Sequence, residues 1–401
     1  MSNNRCHFIR CFILFLFLFQ SCTFYSQPRI KANTTIKITK EWNLEGKTVT
    51  LPENIVLSFE GGYISNGVLT GNRTKINGKL DKIFSMVTIS GTWEVPTIST
   101  SMFQDLSYDN SLCDVLALTN EEIFNEVLIE KGRYYIDIKK ESGYGLLIDD
   151  KTSLRIDGDI IMRPNPYLAY NIVEIVGNDV SISGRGTIIG DKFTHKGSDG
   201  EWGMGILVKG SKNVIISDLT IKDCWGDCIY IGFNAENVIV NKCKLDNGRR
   251  QGISITGGTN ITISDCVITN INGSLPQYGI DIEPNKECLV GNVIITGCTI
   301  KNSFGGLKCW GGAKEATIKS INISNCKVLN CEADYPMIFE VADELSLIDC
   351  YVESSFTSPI YIYRIKNAIL SSIETKALCL RPILKVDCGK VDISNVRNKI
   401  F

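Results

Sequence analysis

The sequence predicts an all-β chain folded as a right-handed parallel β-helix (a solenoid), with an N-terminal β cap and a short capping helix. Three observations lead there. A motif recurs about every two dozen residues, each copy alternates apolar and polar residues with period two, and no segment of helical period separates the copies. The copies are NVIISDL (213–219), NVIVNKC (237–243), NITISDC (260–266), NVIITGC (292–298), SINISNC (320–326), ELSLIDC (344–350), NAILSSI (367–373) and KVDISNV (390–396). Their last residues are Leu219, Cys243, Cys266, Cys298, Cys326, Cys350, Ile373 and Val396, at separations of 24, 23, 32, 28, 24, 23 and 23 residues. Most of these intervals are too short for a strand–helix–strand unit, which takes roughly 30 residues or more. Two or three strands per coil fit, each coil burying its apolar face against the next.

A second short strand precedes each copy: GILV, DCIYI, GISI, GIDI, GLKC, PMIF, PIYI and PILK. The five cysteines at the repeat's last position then read as an inward ladder of small apolar groups about 4.8 Å apart, rather than as a disulfide framework.

Upstream, residues 1–26 read as an export signal. Arg5 and Arg10 flank the start of an apolar run, 11–19, that is too short for a stable membrane anchor. Phe19-Gln20-Ser21-Cys22 resembles a loose lipobox, which makes Cys22 a candidate lipid anchor on the outer membrane; cleavage near Ser26-Gln27 is the alternative and gives a soluble periplasmic or secreted protein. Residues 27–108 read as a β cap or irregular first coils, and 109–401 as the β-helix, with the capping helix at 112–127 and regular coils from about Leu146.

The chain has 401 residues, 44% hydrophobic and 21% charged, with a net charge of −2, so no general basic field exists to hold nucleic acid. A monomer is expected.

With the coils aligned, the set of export signal, β region, short helix, IEKGRYYI (129–136) and Asn/Asp-Cys coils resembles the pectate-lyase-like right-handed parallel β-helix superfamily. NGRRQGISITGGTNITISDCVI…QYGIDIEPN (247–285) is similar to segments of the exported polysaccharide-degrading type found in Bacteroidetes, and of phage proteins. The resemblance implies a ligand groove on one outward sheet face, flanked by the longest turns: 270–278, 283–291 and 304–316.

Alternation assigns that face. Ile229, Ile231, Ile253, Ile255, Ile280, Ile282, Leu307, Cys309, Ile360 and Ile362 point in. Tyr230, Ser254, Thr256, Asp281, Glu283, Lys308, Trp310, Glu340, Tyr361 and Tyr363 point out, with Arg364 beside them. Arg249, Arg250, Gln251 and Asp227 enter from preceding turns; Trp202 and Trp225 sit in turns without an assigned place. The expected roles are catalytic for Lys308, Arg249, Arg250 and Tyr230. Trp310, Gln251, Glu340, Tyr361, Tyr363 and Arg364 are expected to bind substrate. Asp227, Asp281 and Glu283 form a candidate Ca²⁺ set, or serve as acid and base.

Among the chemistries the resemblance implies, hydrolysis of the polygalacturonase type uses an Asp cluster and a His-Gly pair. Here Gly226-Asp227-Cys228 keeps one Asp and Arg250-Gln251-Gly252 replaces His-Gly; the only histidines are His7 and His195. β-Elimination on a uronic-acid polysaccharide (a glycosaminoglycan such as chondroitin or hyaluronan, or pectin) is the leading expectation. It needs cations near the C6 carboxylate and a base, which Arg249, Arg250 and Lys308 supply. A polygalacturonase-like hydrolase, a C5-epimerase and a non-catalytic carbohydrate-binding β-helix are the alternatives.

Overall fold

A computed structural model describes residues 30–138, 141–312, 317–354 and 357–400; the signal segment with Cys22 and His7 lies outside them. Each regular coil carries three strands, for example Ile229–Gly232, Ala235–Asn241 and Lys244–Asp246. Every coil pairs in parallel with the next, so the first and second strands of successive coils join one 21-stranded sheet and the third strands an 11-stranded one.

The inward columns are those predicted by alternation. Ile229, Ile253, Ile280 and Leu307 stack in register, as do Ile231, Ile255, Ile282 and Cys309, all essentially without solvent exposure. At about 25 cal/mol per Å² of buried apolar surface these columns supply the main favourable term.

The corners explain the repeat's polar letters. Asp218, Lys242, Asp265, Gly297, Asn325 and Asp349, each just before the inward Leu or Cys, have φ between 52° and 67°. That left-handed conformation turns the chain, and Asn, Asp and Gly tolerate it best. A second left-handed corner is stitched by side-chain amides: Asn237 donates to Asn213 (2.9 Å), Asn260 to Asn237 (3.0 Å) and Asn292 to Asn260 (2.8 Å). Cys243, Cys266, Cys298, Cys326 and Cys350 are buried free thiols, and a neighbouring thiol is the largest influence pushing Cys266, Cys298 and Cys326 up to about 12. Thiolate formation is thereby suppressed at these three, whereas the hydrogen bond with Cys266 pulls the Cys243 thiol down from its ordinary value.

Two boundaries differ from the sequence expectation. The helix spans Ser111–Leu116, not 112–127. Asn120 ends the helical stretch: its Oδ1 accepts the Glu122 N–H (2.9 Å) and its Nδ2 donates to the Trp93 carbonyl (2.9 Å), an Asx turn that competes with helix. Asn125–Ile129 then becomes a strand paired with Thr152–Ile156, because Val127 and Ile129 face the core at alternate positions. The helix still shields an edge, since Asp114 Oδ1 accepts the Ile89 N–H (3.1 Å). Coiling also begins far upstream of Leu146. Thr35–Ile38, Val56–Phe59 and Ile64–Gly78 are paired in parallel, and Thr97–Ser99 pairs with the strand at Asn125.

Candidate functional site

Outward positions of the first strands form one column, Glu174, Leu207, Tyr230, Ser254, Asp281, Lys308, Ile338 and Tyr361, each in register with the next. A second column, two residues along, carries Trp310, Glu340 and Tyr363. Over the middle of these columns lies a cleft of about 290 Å³ lined by Glu201, Trp202, Tyr230, Arg250, Ser254, Thr256, Asp281, Glu283, Asn285, Lys286 and Trp310.

Buried Asp281 lines its floor, and a second buried carboxylate, Asp227, lies behind the lining residues Arg250 and Ser254. Asp227 is 0% and Asp281 2% exposed. Arg250 Nη1 donates to both Asp227 oxygens (3.1 and 3.3 Å), and Ser254 Oγ donates to Asp227 Oδ2 (2.6 Å). Burial raises the Asp227 carboxyl, against the opposing pull of Arg250 and Ser254. Gln251 Nε2 donates to Asp281 Oδ2 (2.7 Å), while its Oε1 accepts the Tyr278 N–H (2.7 Å). Asp281 Oδ1 has no hydrogen-bond partner and lies 3.9 Å from Lys308 Nζ, which is 3.3 Å from Glu283 Oε2. Burial, the largest influence, pushes the Asp281 carboxyl up to about 8; Lys308 opposes this and the Glu283 carboxylate adds to it. Asp281 thus keeps its proton to a higher pH than an ordinary carboxyl, and Gln251 leaves its Oδ1 without a hydrogen-bond partner.

The expected residues separate into groups. Arg250, Lys308, Tyr230, Trp310, Asp281 and Glu283 meet at or around the cleft, and the Tyr230 hydroxyl accepts from Thr256 (2.8 Å) and Asn285 (3.4 Å). Gln251, expected to bind substrate, is fully buried and instead orients Asp281. Arg249, expected to be catalytic, turns away: its guanidinium lies 3.8 Å over the Trp225 ring and its nitrogens donate to the carbonyls of Gly200 (2.8 Å) and Ser198 (3.3 Å). Glu340, Tyr361, Tyr363 and Arg364 lie further along the face. Tyr335, Tyr361 and Tyr363 form an aromatic run (ring centroids 4.8 and 6.4 Å apart), with Arg364 held by Asp387 (3.0 Å).

The candidate Ca²⁺ set does not fit the ion as placed. Asp227 faces Arg250 and Ser254, one Asp281 oxygen faces Gln251, and Glu283 faces Lys308, so each carboxylate already has a cation or donor in the fold. No cluster of three His, Cys, Asp or Glu side chains with metal-holding geometry occurs among the described residues.

Sequence reasoning missed Glu201 and Trp202. Both reach the cleft because the 191–201 loop is pinned by a stack: His195 lies on Trp225 (4.0 Å) and, more distantly, Tyr170 (6.0 Å). His195 Nδ1 meets Asp191 Oδ2 (2.9 Å), and Tyr170 hydrogen-bonds the same carboxylate. Glu201 Oε2 then sits 3.8 Å from Arg250 Nε and accepts from Ser274 (3.1 Å). The aromatic residues were visible in the sequence, but a stack built from three separate coils has no sequence period.

Residues 134–322 match the family described as "Right handed beta helix region". Two uncharacterized proteins of Bacillus subtilis (strain 168) are similar: the SPbeta prophage-derived YorA (33% identity over 43% of this chain and 35% of that protein) and YclG (31% over 41% and 33%). The chain thus spans about a third of the length of the curated relatives it matches. Among solved structures, it resembles the mannuronan C-5 epimerase AlgE6 A-module of Azotobacter vinelandii (TM-score 0.51, 10% identity, 74% of this chain and 93% of that one). It also resembles the tailspike gp49 of Acinetobacter baumannii bacteriophage Fri1, a capsular polysaccharide depolymerase (0.52, 11%, 76% and 63%), and an exopolygalacturonase of Thermotoga maritima (0.50, 12%, 76% and 91%). At such identities the likeness is one of fold, and the coil geometry agrees with it: the chain is folded as a right-handed parallel β-helix, similar over residues 134–322 to the right-handed β-helix family.

Proposed function

We propose that this chain cleaves a polysaccharide by glycosidic hydrolysis, with Asp281 as the proton donor to the leaving oxygen. The observation that carries the reading is a buried carboxyl on the floor of an aromatic-flanked cleft, raised to about 8 by burial, with one oxygen lacking a hydrogen-bond partner. Hydrolysis needs a second carboxylate to act on water or on the anomeric carbon. Glu201, half-exposed in the same cleft, takes that part, and Trp310, Trp202 and Tyr230 give sugar rings faces to stack on. The tailspike and polygalacturonase likenesses supply the polysaccharide context.

β-Elimination from a uronide is the second reading, favoured by Arg250 and Lys308 both bordering the cleft. Its weakness lies in their partners. Lys308 is paired with Glu283 and Arg250 is tied to Asp227, so neither cation is free to meet a substrate carboxylate. Incubation with a polysaccharide panel separates the two: new reducing ends without absorbance near 235 nm mean hydrolysis, and a rise at that wavelength means elimination. Neither signal with any glycan would refute cleavage. We further propose export under the signal at 1–26 and action as a monomer; N-terminal sequencing of the mature protein checks the cleavage site.

A further inference from the structure

We propose that the groove takes a neutral glycan and rejects polyuronates, a substrate class that rests on the glycan-cleaving reading above. The observation is the state of its cations. Between the coil of Glu174 and that of Tyr363, Lys209 pairs with Glu174 (2.8 Å), Arg250 with Asp227 (3.1 Å) and Lys308 with Glu283 (3.3 Å). Lys286 pairs with Glu287 (2.9 Å), and Arg364 with Asp387 (3.0 Å). Each Lys or Arg that borders the groove among the described residues thus already faces a carboxylate. Two of those carboxylates, Asp227 and Glu174, are buried, and a buried carboxylate does not release its cation cheaply.

Acids outnumber the cations. Glu201 approaches Arg250 in addition to Asp227, and Glu340 stands next to Trp310 in the second column, while Asp281, the proton donor, adds no charge. Each uronate carboxylate brought into this strip would meet net negative charge in a partly desolvated cleft, where repulsion is stronger than in water. What remains open to a ligand is apolar and uncharged. Trp202 and Phe233 are exposed on one side of the acids, and Trp310, Tyr361 and Tyr363 lie on the other. Tyr230 to Tyr361 spans five rungs, about 24 Å at the usual strand spacing, enough for several sugar units lying along the solenoid. Ring stacking asks nothing of the sugar's charge, so the platforms favour a neutral polymer while the acids exclude an anionic one. Elimination requires a uronate, so this inference and the elimination reading exclude each other.

Two measurements on the full mature chain test it without requiring turnover. In native gels at low ionic strength, polygalacturonate, alginate and hyaluronan should leave migration unchanged relative to a gel without glycan. Retardation by any of them overturns the proposal. Independently, the fluorescence difference between the chain and Trp202→Phe should be quenched more by Cs⁺ than by I⁻, with the preference reduced at least twofold in Glu201→Gln/Glu283→Gln. Equal or greater quenching by I⁻ in the unsubstituted chain also overturns it. If a neutral β-glucan or galactomannan retards migration where the polyuronates do not, and Cs⁺ dominates, but no glycan is cleaved, the substrate class stands as a binding preference and only the hydrolytic reading fails; no retardation by any neutral glycan in the panel overturns the proposal.

Discussion

Replacing Asp281 with Asn keeps the shape and removes the proton that titrates. The carboxyl ordinarily titrates near 3.8 and is pushed up to about 8 by burial, with Lys308 opposing. At about 1.4 kcal/mol per pH unit, that gap is on the order of 5 kcal/mol of folding free energy, divided among the coupled Asp281, Glu283 and Lys308. The sign follows from proton counts. Between roughly pH 4 and 8 the unfolded chain has lost this proton and the folded chain keeps it, so stability falls as pH rises through that window and levels off above it. Asp281→Asn removes the decline, so its Tm should gain on the unsubstituted chain progressively from pH 5 to about pH 8 and level off above that. The substitution should also lower kcat by about 10²–10⁴-fold, the usual range for a general acid, and abolish the alkaline limb of kcat/KM near pH 8. Scanning calorimetry across pH, together with reducing-end assays on a cleaved glycan, reads both. An unchanged alkaline limb, or a Tm difference independent of pH, would refute the assignment of the proton to Asp281.

Other consequences follow from the same contacts. Arg250→Ala strands the fully buried Asp227 and should cost about 3–5 kcal/mol in urea unfolding; a loss below about 1 kcal/mol would mean that Asp227 is neutral without its partner. Arg249→Ala removes a guanidinium stacked on Trp225, an interaction of about 0.5–2 kcal/mol. It should raise proteolytic cutting in 191–201 while leaving the alkaline limb in place; loss of that limb would put Arg249 in the acid chemistry after all. Cys243, Cys266, Cys298, Cys326 and Cys350 should resist Ellman's reagent in the native chain and react in urea, with Tm unchanged by dithiothreitol; a Tm drop on reduction would overturn the free-thiol ladder. Cleavage should persist in EDTA, because Asp227, Asp281 and Glu283 face protein donors and cations; loss of activity restored by Ca²⁺ would require these side chains to rearrange.

The solenoid was legible in the sequence because its physics is local and repetitive. Alternation at Val238, Ile239 and Val240 fixes which side chains face in, and Asp or Asn before an inward Leu or Cys marks a left-handed corner. The outward strip followed, since parity along a strand and register between coils are the same rule applied twice. Tyr230, Asp281, Lys308 and Trp310 were found that way. Helix length was not legible, because helix or turn at Asn120 depended on whether Val127 and Ile129 could join a strand from the next coil.

The tertiary structure alone decided what each polar residue does. Arg249 and Arg250 are adjacent and chemically identical, yet one stacks on Trp225 and the other pairs with Asp227. Gln251 lies in the same turn and is sealed beneath Asp281. The sequence by itself set the coil, its corners, its interior and the face that bears the polar strip. The state of the Asp281 proton, the pairing of the groove's cations and the arrival of Glu201 and Trp202 depend on burial and on contacts between distant coils, which no repeat encodes.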